Sequence, residues 1–241
     1  MPRDLNTLHD LDQLNTRFEH DPAGAILYAA EGPLGPVALV SSFGADSAVL
    51  LHMVAQIDRS LPVIFIDTLL LFPETIIYHE DLIAHFGFTD VRRTRPDRVD
   101  LFLNDPEVAL HGSDPDACCD LRKARPLERA LTPFESWISG RKRFQSGLRA
   151  GLKVFEPDPL TGMIKINPLA GSTAEDIRAY MDHHDLPRHP LVARGYPSIG
   201  CTPCTSAVQP GEDPRAGRWR GRAKTECGIH IANGQTVRRA S

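Results

Sequence analysis

Short apolar runs alternate with longer amphipathic stretches along the first half of the chain. The short runs are rich in β-branched residues, as expected of buried strands, whereas the longer stretches have the apolar spacing of helices. The predicted strands are Val37–Ser41, 62–67 and 89–93, and the predicted helices are Leu5–Phe18, 48–57 and 73–85. Asp46 or Ser47 is placed to cap the second helix, and Gly87 to end the third. This alternation predicts an α/β fold, with a doubly wound, mostly parallel sheet covered by helices on both faces.

The second half of the chain fits the same plan less regularly. We predict helices over 117–130 and 172–184, and strands over 135–140 and 163–166. From Pro187 onward Gly, Pro and Arg dominate, so little of this region should be helix or strand. We therefore expect an α/β domain over 1–210 and a flexible C-terminal tail over 211–241.

Composition and charge narrow the class of protein. A hydrophobic content of 41% and a charged content of 24% are ordinary for a globular protein, and the formal net charge is −4. This acidic balance argues against general affinity for nucleic acid or for an anionic membrane surface. No apolar run is long enough to span a bilayer, and the N-terminus lacks the apolar core of a secretory signal. We expect a cytoplasmic protein that binds neither nucleic acid nor membrane.

The loop between the first strand and its helix, Ser-Phe-Gly-Ala-Asp-Ser at 42–47, is the first candidate ligand site. Open α/β sheets bind ligands at the carboxyl ends of their strands, and a helix N-terminus offers free N–H groups to an anion. The loop lacks the Gly-Lys-Ser/Thr ending of a Walker A motif, and an ordinary strand–helix turn is equally consistent with these residues alone. The end of the second strand should reach the same edge of the sheet. The candidate binding residues are Ser42, Gly44, Ala45, Asp46, Ser47, Asp67 and Thr68.

The five cysteines form two pairs and a single residue. Cys118-Cys119 and Cys201-Thr-Pro-Cys204 make a set of four thiols, which can hold zinc or an iron–sulfur cluster. The spacing leaves both open, although adjacent thiolates suit a cluster because each can take a different iron. Lys123 follows the first pair closely on the predicted helix and would place a cation beside an anionic cluster.

Cys227 is the odd cysteine, and it lies in a basic stretch near the C-terminus. Neighbouring cations stabilise a thiolate and so favour a nucleophilic role, and the same cations can bind an anionic substrate. A second basic loop, 140–149, offers a further anion clamp, although a solvated loop or tail is the ordinary explanation of either basic run. The candidate residues are Arg143, Gln145, Ser146 and Arg149 in the loop, and Arg215, Arg218 and His230 near Cys227.

Together these segments resemble the sulfonucleotide reductases of assimilatory sulfate reduction. The nearest match is to the bacterial, thioredoxin-dependent adenylyl-sulfate reductases that carry an iron–sulfur cluster. The resemblance covers nearly the whole chain in consistent order. Its motifs are the 42–47 loop, Asp-Thr at 67–68 with Leu-Phe-Pro-Glu-Thr at 71–75, Cys-Cys-x-x-Arg-Lys at 118–123, Gly-x-x-Arg-x-Gln-Ser at 140–146, Gly-Cys-x-x-Cys at 200–204 and Glu-Cys-Gly-x-His at 226–230.

This resemblance implies an adenine-nucleotide α-hydrolase-like (PP-loop) fold and a specific chemistry. Cys227 would attack the sulfur of adenosine 5′-phosphosulfate (APS), giving AMP and an S-sulfocysteine from which thioredoxin or glutaredoxin releases sulfite. Lys123 would couple the substrate to the cluster, and relatives are often dimers or tetramers, so we expect a homo-oligomer. The resemblance assigns one 4Fe–4S cluster per subunit to Cys118, Cys119, Cys201 and Cys204. It assigns the substrate anions to Arg143, Arg149, Arg215 and Arg218.

Three residues depart from the pattern of similar enzymes. Leu69 stands where glycine is usual, Lys142 where arginine is common, and Phe144 where an acid is common. The first change bears on how closely the backbone approaches a ligand, and the last on how the arginine loop is held. The catalytic and cluster cysteines of the pattern are all present.

Other functions remain open. Within the family, the 3′-phosphorylated nucleotide (PAPS) is the alternative substrate, although relatives that prefer it without a cluster lack the two cysteine pairs. A zinc-stabilised nucleotide-binding module would be colourless and would not need Cys227. A PP-loop ATP pyrophosphatase, such as a tRNA-thiolating enzyme, would depend on ATP and magnesium.

Overall fold

The central strands of the sheet are short, apolar and buried. The computed structural model describes residues 5–159, 161–222, 224 and 226. The strands are β1 (Val37–Ser41), β2 (Val63–Ile66), β3 (Val91–Thr94), β4 (Ser136–Ser139), β5 (Phe155–Pro157) and β6 (Ile164–Ile166). They form one six-stranded sheet in the order β3-β2-β1-β4-β6-β5, parallel except for β5, which pairs antiparallel with β6. The mostly parallel α/β sheet is thus confirmed, and β5 adds an edge strand that the sequence analysis missed.

Helices lie on both faces of this sheet. They are α1 (Leu5–Phe18), α2 (Pro22–Ala30), α3 (Ser47–Ile57), α4 (Pro73–Phe86), α5 (Arg98–Asn104), α6 (Leu110–Ser113), α7 (Pro115–Cys119), α8 (Arg125–Leu131) and α9 (Ala174–His183). A π-helical turn, Asp120–Ala124, joins α7 to α8. None of the helices in the described ranges combines the length and the apolar character needed to cross a bilayer.

The two faces of the sheet carry separate layers of the core, because successive side chains of a strand point to opposite faces. On β1, Val37 and Leu39 pack into the larger layer, to which α1 to α4 and α9 contribute. Ala38 and Val40 pack into the smaller layer with α8. Burial on both faces explains why β1 is a continuous apolar run and not an alternating one.

The chain changes direction across the sheet between β1 and β4. β1, β2 and β3 lie side by side toward one edge, whereas β4 pairs with the other side of β1. Such a switch point is where open α/β sheets bind ligands. The loops 42–47 and 140–149 leave the carboxyl ends of the two strands that flank it. Asp67 and Thr68 leave β2 at the same edge, as predicted.

The helix predicted over 117–130 is interrupted by the π-helical turn. Pro126, near the start of α8, has no N–H to donate to the preceding turn, and the wider turn accommodates its ring. Gly87 ends α4 as predicted, with a left-handed φ of 73° and an N–H that donates to the Ile83 carbonyl. Asp46 occupies the N-cap position of α3, but its side chain makes no capping hydrogen bond.

The segment after α9 has little regular structure, as predicted, but it is anchored to α4. The Tyr78 hydroxyl donates to the Pro187 carbonyl at 2.7 Å, and the side chains of His189 and Thr75 hydrogen bond at 3.0 Å. Two isolated antiparallel bridges join Leu71 to Cys201 and Thr205 to Arg218. These contacts carry the chain from the back of α4 to the carboxyl edge of the sheet.

Candidate active site

A pocket of about 260 Å³ opens at the carboxyl ends of β1, β2 and β4. Its floor is made by strand residues, including Val40, Ile66 and Trp137, and its walls by the loops that follow those strands. The remaining side is lined by the segment 197–200 and by Asp213, Pro214, Arg215, Arg218, Trp219 and Glu226. The predicted binding residues that line it are Ser42, Gly44, Ala45, Asp46, Ser47, Thr68, Lys123, Gln145, Arg149, Arg215 and Arg218.

The 42–47 loop is held in place by a buried aromatic anchor. Phe43 is fully buried in left-handed backbone, with a φ of 50°, and its N–H donates to the Ser41 hydroxyl at 3.1 Å. Its ring packs edge-to-face against Phe65 and His79, with centroids 5.1 and 4.6 Å apart. A Cβ on Gly44 would lie 3.4 Å from the Ile199 carbonyl oxygen, so the loop backbone packs close to the segment 197–200.

A lysine joins the two loops that flank the switch point. Lys142 Nζ donates to the Asp46 carboxylate and to the Gly140 carbonyl, each at 3.2 Å. Burial lowers the pKa of Lys142, and the nearby negative charge of Asp46 opposes that shift. Phe144, two residues further on, lines the pocket but remains half-exposed. The loop therefore contributes a buried cation and a half-exposed aromatic ring to the pocket lining.

Arg149 forms the best-defined anion clamp of the pocket. Its Nε and Nη2 atoms donate to the two carboxylate oxygens of Glu226 at 2.7 and 2.6 Å, and Nη1 donates to the Gln145 side chain. The Ser146 hydroxyl donates to the same carboxylate at 3.0 Å, and an Arg215 guanidinium nitrogen lies 3.7 Å from it. Burial alone would raise the pKa of Glu226, but the hydrogen bonds and charge of Arg149, with Arg215 and Ser146, hold it below its ordinary value.

Arg218 lies flat against the chain beside the clamp. Its guanidinium occupies the space where a Cβ on Gly200 would be, and Nη1 donates to the Ile199 carbonyl at 3.2 Å. It also stacks on Trp219, 4.5 Å from the ring centroid. Arg218 Nε and Trp219 Nε1 are buried and find no hydrogen-bond partner among the described residues. Both are donors available to a ligand or cofactor.

The structure does not bring every predicted residue to the pocket. Arg143 pairs with Glu19 and donates to the Leu152 carbonyl at 2.7 Å, so it supports the loop from outside. Ser146 reaches the pocket only through its contact with Glu226. Cys227 and His230 lie outside the described residues.

Asp67 has a structural environment of its own behind the pocket. It is buried, and it accepts hydrogen bonds from Arg93 Nε at 3.0 Å, Arg95 Nε at 2.8 Å and the Leu69 N–H at 3.0 Å. Burial would raise its pKa, but these three donors together lower it. Asp67 therefore fixes the turn that presents Thr68 to the pocket.

The two cysteine pairs meet beside the pocket. Cys118 and Cys119 end α7, and a main-chain hydrogen bond from Thr202 to Leu70 ties the second pair to the segment after β2. Burial raises the pKa of Cys118 to about 11, and the charges of Cys201 and Cys204 act in the same direction. Burial also raises the pKa of Cys204, against the effect of the cations Lys123, Arg222 and Arg218. All four are free thiols.

Arg122 was not among the predicted site residues. It lies in the turn after Cys119 and contacts the segment that follows β2. Its Nε and Nη2 atoms donate to the Asp105 carboxylate at 3.2 and 2.6 Å, and Nη1 donates to the Thr68 carbonyl at 3.2 Å. The arginine of the Cys-Cys-x-x-Arg-Lys motif was the available signal. Nothing in the sequence marked Asp105 as its partner.

Comparison with known proteins defines the class. The family model of the phosphoadenosine phosphosulfate reductase domain matches residues 36–207, a range that includes the 42–47 loop, the 140–149 loop and both cysteine pairs. The chain therefore belongs to the phosphoadenosine phosphosulfate reductase family, as the motif resemblance predicted. Membership makes it an oxidoreductase of sulfate assimilation.

The most similar relatives extend over most of the chain. An adenosine 5′-phosphosulfate reductase of Mesorhizobium japonicum is 57% identical over 81% of this chain and 76% of its own length. One of a Chelativorans species is 49% identical over 95% and 94%. A phosphoadenosine 5′-phosphosulfate reductase of Gloeobacter violaceus is 40% identical over 91% and 93%. Relatives named for either nucleotide thus align with almost the whole chain.

Solved structures confirm the fold. A phosphoadenylyl-sulfate reductase of Candida auris, in complex with phosphate, superposes with a TM-score of 0.70 at 26% identity, over 82% of this chain and 96% of that one. An FMN adenylyltransferase of Candida glabrata, in complex with FMN and an ATP analogue, gives a TM-score of 0.58 at 15% identity over 79% and 63%. The second likeness concerns the fold alone. The PP-loop type of α/β architecture is confirmed.

Proposed function

We propose that this chain reduces adenosine 5′-phosphosulfate to sulfite and AMP, with a thioredoxin- or glutaredoxin-type dithiol protein as the electron donor. One observation carries the proposal: Glu226 lies in the Arg149 clamp at the switch-point pocket, and the next residue in the chain is Cys227. Cys227, the only cysteine outside the two pairs, thus directly follows in sequence a residue that lines an anion-binding pocket.

The residues of the pocket supply what a phosphosulfate needs. The N-terminus of α3, with its positive dipole end, follows the 42–47 loop. Arg149, Arg215 and Arg218 line the pocket, and Lys123 lines it too. Cations at these positions offset charge that develops on the leaving phosphate, and they stabilise a neighbouring thiolate.

The proposed reaction has two thiol steps. The Cys227 thiolate attacks the sulfur of the substrate, an S–S bond forms, and the bond from sulfur to the bridging oxygen breaks to release AMP. A thiolate of the dithiol protein then attacks Cys227 Sγ and expels sulfite, and its second thiol resolves the mixed disulfide. The dithiol is oxidised by two electrons, the sulfur is reduced by two, and Cys227 returns to the thiol.

The two cysteine pairs support a 4Fe–4S cluster. Among the described residues, no three or more His, Cys, Asp or Glu side chains converge closely enough to ligate a single metal ion. A cluster needs no such convergence, because each thiolate binds a separate iron corner. The orphaned Trp219 N–H and the cations around Cys204 suit an anionic group with acceptor sulfurs. Cys118, Cys119, Cys201 and Cys204 would hold it.

When bound, such a cluster would supply a polarisable anionic centre that ties α7 to the 201–204 turn. Lys123 lines the pocket, and its positive charge acts to lower the pKa of Cys204. It is therefore the residue that would link the cluster to the substrate. We further place the enzyme in the cytoplasm, where reduced dithiol proteins are available. We expect it to form a homo-oligomer.

The choice of APS over PAPS rests on the cysteine pairs and on the relatives. Relatives of 57% and 49% identity are named for the unphosphorylated nucleotide, and one of 40% for the 3′-phosphorylated one. Similar enzymes that prefer PAPS without a cluster lack both pairs. Reduction of both nucleotides is the alternative, and an assay with each nucleotide distinguishes it from a preference for APS.

The test is sulfite release by the anaerobically purified protein, with reduced thioredoxin and either APS or PAPS as substrate. We expect release from APS to exceed that from PAPS, and Cys227→Ser to reduce it to background. A preference for PAPS would keep the mechanism and change the substrate. Pyrophosphate release from ATP and magnesium, or no sulfite from either nucleotide, would overturn the proposal.

A further inference from the structure

We infer that Glu226 is an internal occupant of the Arg149 clamp, and that the anionic group of the substrate must displace it in order to bind. The inference rests on the proposed function, since it concerns how the same pocket accepts its sulfonucleotide. It adds a competing anion, supplied by the chain itself, to a pocket whose cations are assigned to substrate.

The geometry of the contact is that of a bound anionic ligand. Arg149 holds Glu226 through the Nε–Nη2 edge of its guanidinium, with one donor on each carboxylate oxygen at 2.7 and 2.6 Å. Paired, parallel hydrogen bonds of this kind are also how arginine binds phosphate and other planar or tetrahedral oxyanions. The Ser146 hydroxyl and the Arg215 guanidinium complete the coordination.

Arg149 has no second free edge to offer while Glu226 is in place. Its Nη1 atom donates to the Gln145 side chain, on the opposite edge of the guanidinium. The side chain of Arg149 is only 7% exposed and that of Glu226 only 11%, so their mutual contact covers most of the guanidinium surface. A second anion brought to the same cations would also be repelled by the Glu226 carboxylate. Binding at Arg149 therefore requires exchange.

The chain leading to Glu226 is laid along the cysteine-bearing side of the pocket. Arg222 donates to the His111 carbonyl, and Lys224 pairs with Asp116 at the start of α7. These contacts do not involve the clamp, so they can persist when Glu226 leaves it. Displacement of Glu226 from the clamp therefore does not require the contacts of Arg222 and Lys224 to break.

The exchange predicts that a neutral residue at 226 strengthens substrate binding. The apparent affinity equals the intrinsic affinity multiplied by the fraction of enzyme in which the clamp is free. We propose to measure binding of APS by calorimetry, with Cys227→Ser as the background so that no turnover occurs. Glu226→Gln and Glu226→Ala should each bind about ten-fold more tightly than this background.

Two controls separate exchange from a general change in charge. Asp213 also lines the pocket, and its carboxylate accepts from the Arg215 N–H at 2.7 Å. Asp213→Asn keeps that acceptor and removes one negative charge, so it should change the affinity less than two-fold. In a cycle with Arg149→Gln, the gain from Glu226→Gln should fall below two-fold, because the residue acts through Arg149.

The outcomes distinguish the inference from the function on which it rests. Tighter binding by both Glu226 variants, absent in the Arg149→Gln background, supports exchange. Equal or weaker binding, or an equal gain from Asp213→Asn, overturns the inference and leaves the proposed function intact. No binding of APS by any of these proteins overturns the proposed function, and the inference with it.

Discussion

The ammonium group of Lys142 donates to the Asp46 carboxylate at 3.2 Å, and so joins the loop after β4 to the loop after β1. These strands are neighbours at the switch point of the sheet. The side chain of Lys142 is 3% exposed, whereas that of Asp46 is 34% exposed. The buried partner depends on the pair for its charge compensation, and the exposed partner does not.

Replacing Asp46 by asparagine should therefore destabilise the protein through Lys142. Loss of one partner of a fully buried ion pair costs about 3–5 kcal/mol, and we expect about 2 kcal/mol here because Asp46 is partly solvated. Asp46 raises the pKa of Lys142 against burial, so the variant lowers that pKa further. The unfolded chain then binds the proton more tightly, and stability rises with pH toward the alkaline range. Urea unfolding of wild type and variant at pH 7 and pH 9.5 should show the deficit shrinking.

The double variant Asp46→Asn/Lys142→Met provides the control for this pair. Methionine fills a similar volume without a charge, so removing the ammonium should recover at least half of the lost stability. If the double variant is no more stable than Asp46→Asn alone, the carboxylate acts through α3 and not through Lys142.

Leu69 adopts a backbone conformation that suits glycine. Its φ is 61°, in the left-handed region, and its side chain is half-exposed after the Asp67 turn. This conformation costs an L residue roughly 1–2 kcal/mol. Glycine avoids that cost, but its greater chain entropy in the unfolded state offsets part of the gain in stability. Leu69→Gly should therefore raise the free energy of unfolding by up to about 1 kcal/mol, measured by urea denaturation. Leu69→Ala keeps the unfavourable φ and should give no gain; a gain from alanine would mean that exposure of the side chain, not φ, is the cause.

The main elements of the fold could be predicted because both faces of the sheet are buried. Continuous apolar runs such as β1 and β2 are strong signals, and Gly87 marks a helix end directly. The missed elements are short or locally polar. β5 is only Phe155–Pro157, and α5 has no buried residue, so neither carries a periodic apolar pattern. The π-helical turn could not be foreseen, since Pro126 alone is also compatible with a helix break.

The candidate site was predictable where a motif fixes the residue and its position in the sheet. Ser42 to Ser47 leave the end of β1, so topology alone brings them to the pocket. Arg143 shows the limit of this reasoning. Arg143 and Arg149 both lie in short 3₁₀ turns, but Arg143 pairs with Glu19 whereas Arg149 lines the pocket. No sequence pattern distinguishes the two arginines.

His189 should make stability depend on pH in the acidic range. It is buried, its Nδ1 atom accepts from the Leu191 N–H at 3.2 Å, and Nε2 is therefore the protonated nitrogen that donates to Thr75 Oγ1 at 3.0 Å. Burial lowers its pKa to about 4 from an ordinary 6.5. Between these values the unfolded chain binds the proton more tightly, so this contribution to stability is complete above pH 6.5 and is lost progressively as the pH falls from 6.5 to 4. The difference corresponds to about 3 kcal/mol.

The measurement compares urea unfolding at pH 7 and pH 4.5 for wild type and His189→Asn. Asparagine retains an acceptor near Nδ1 and does not titrate, so the variant should lose less stability on acidification than wild type. His183→Asn, at an exposed position of α9, should behave like wild type. Equal pH dependence in all three proteins would show that other groups carry the acid sensitivity.

The iron content of the protein should depend on the two cysteine pairs and not on Cys227. Replacing Cys201 by alanine removes one ligand of the proposed cluster, so bound iron and acid-labile sulfide should fall from about four of each per chain to well below one. Cys227→Ser should keep the full iron content and lose sulfite release, because its thiol serves the substrate and not the cluster. Elemental analysis and the brown colour report on this directly, without an activity assay. Stoichiometric zinc in the wild type, with no sulfide, would instead assign the four thiols to a structural metal, and the mechanism at Cys227 would then have to stand without a cluster beside it.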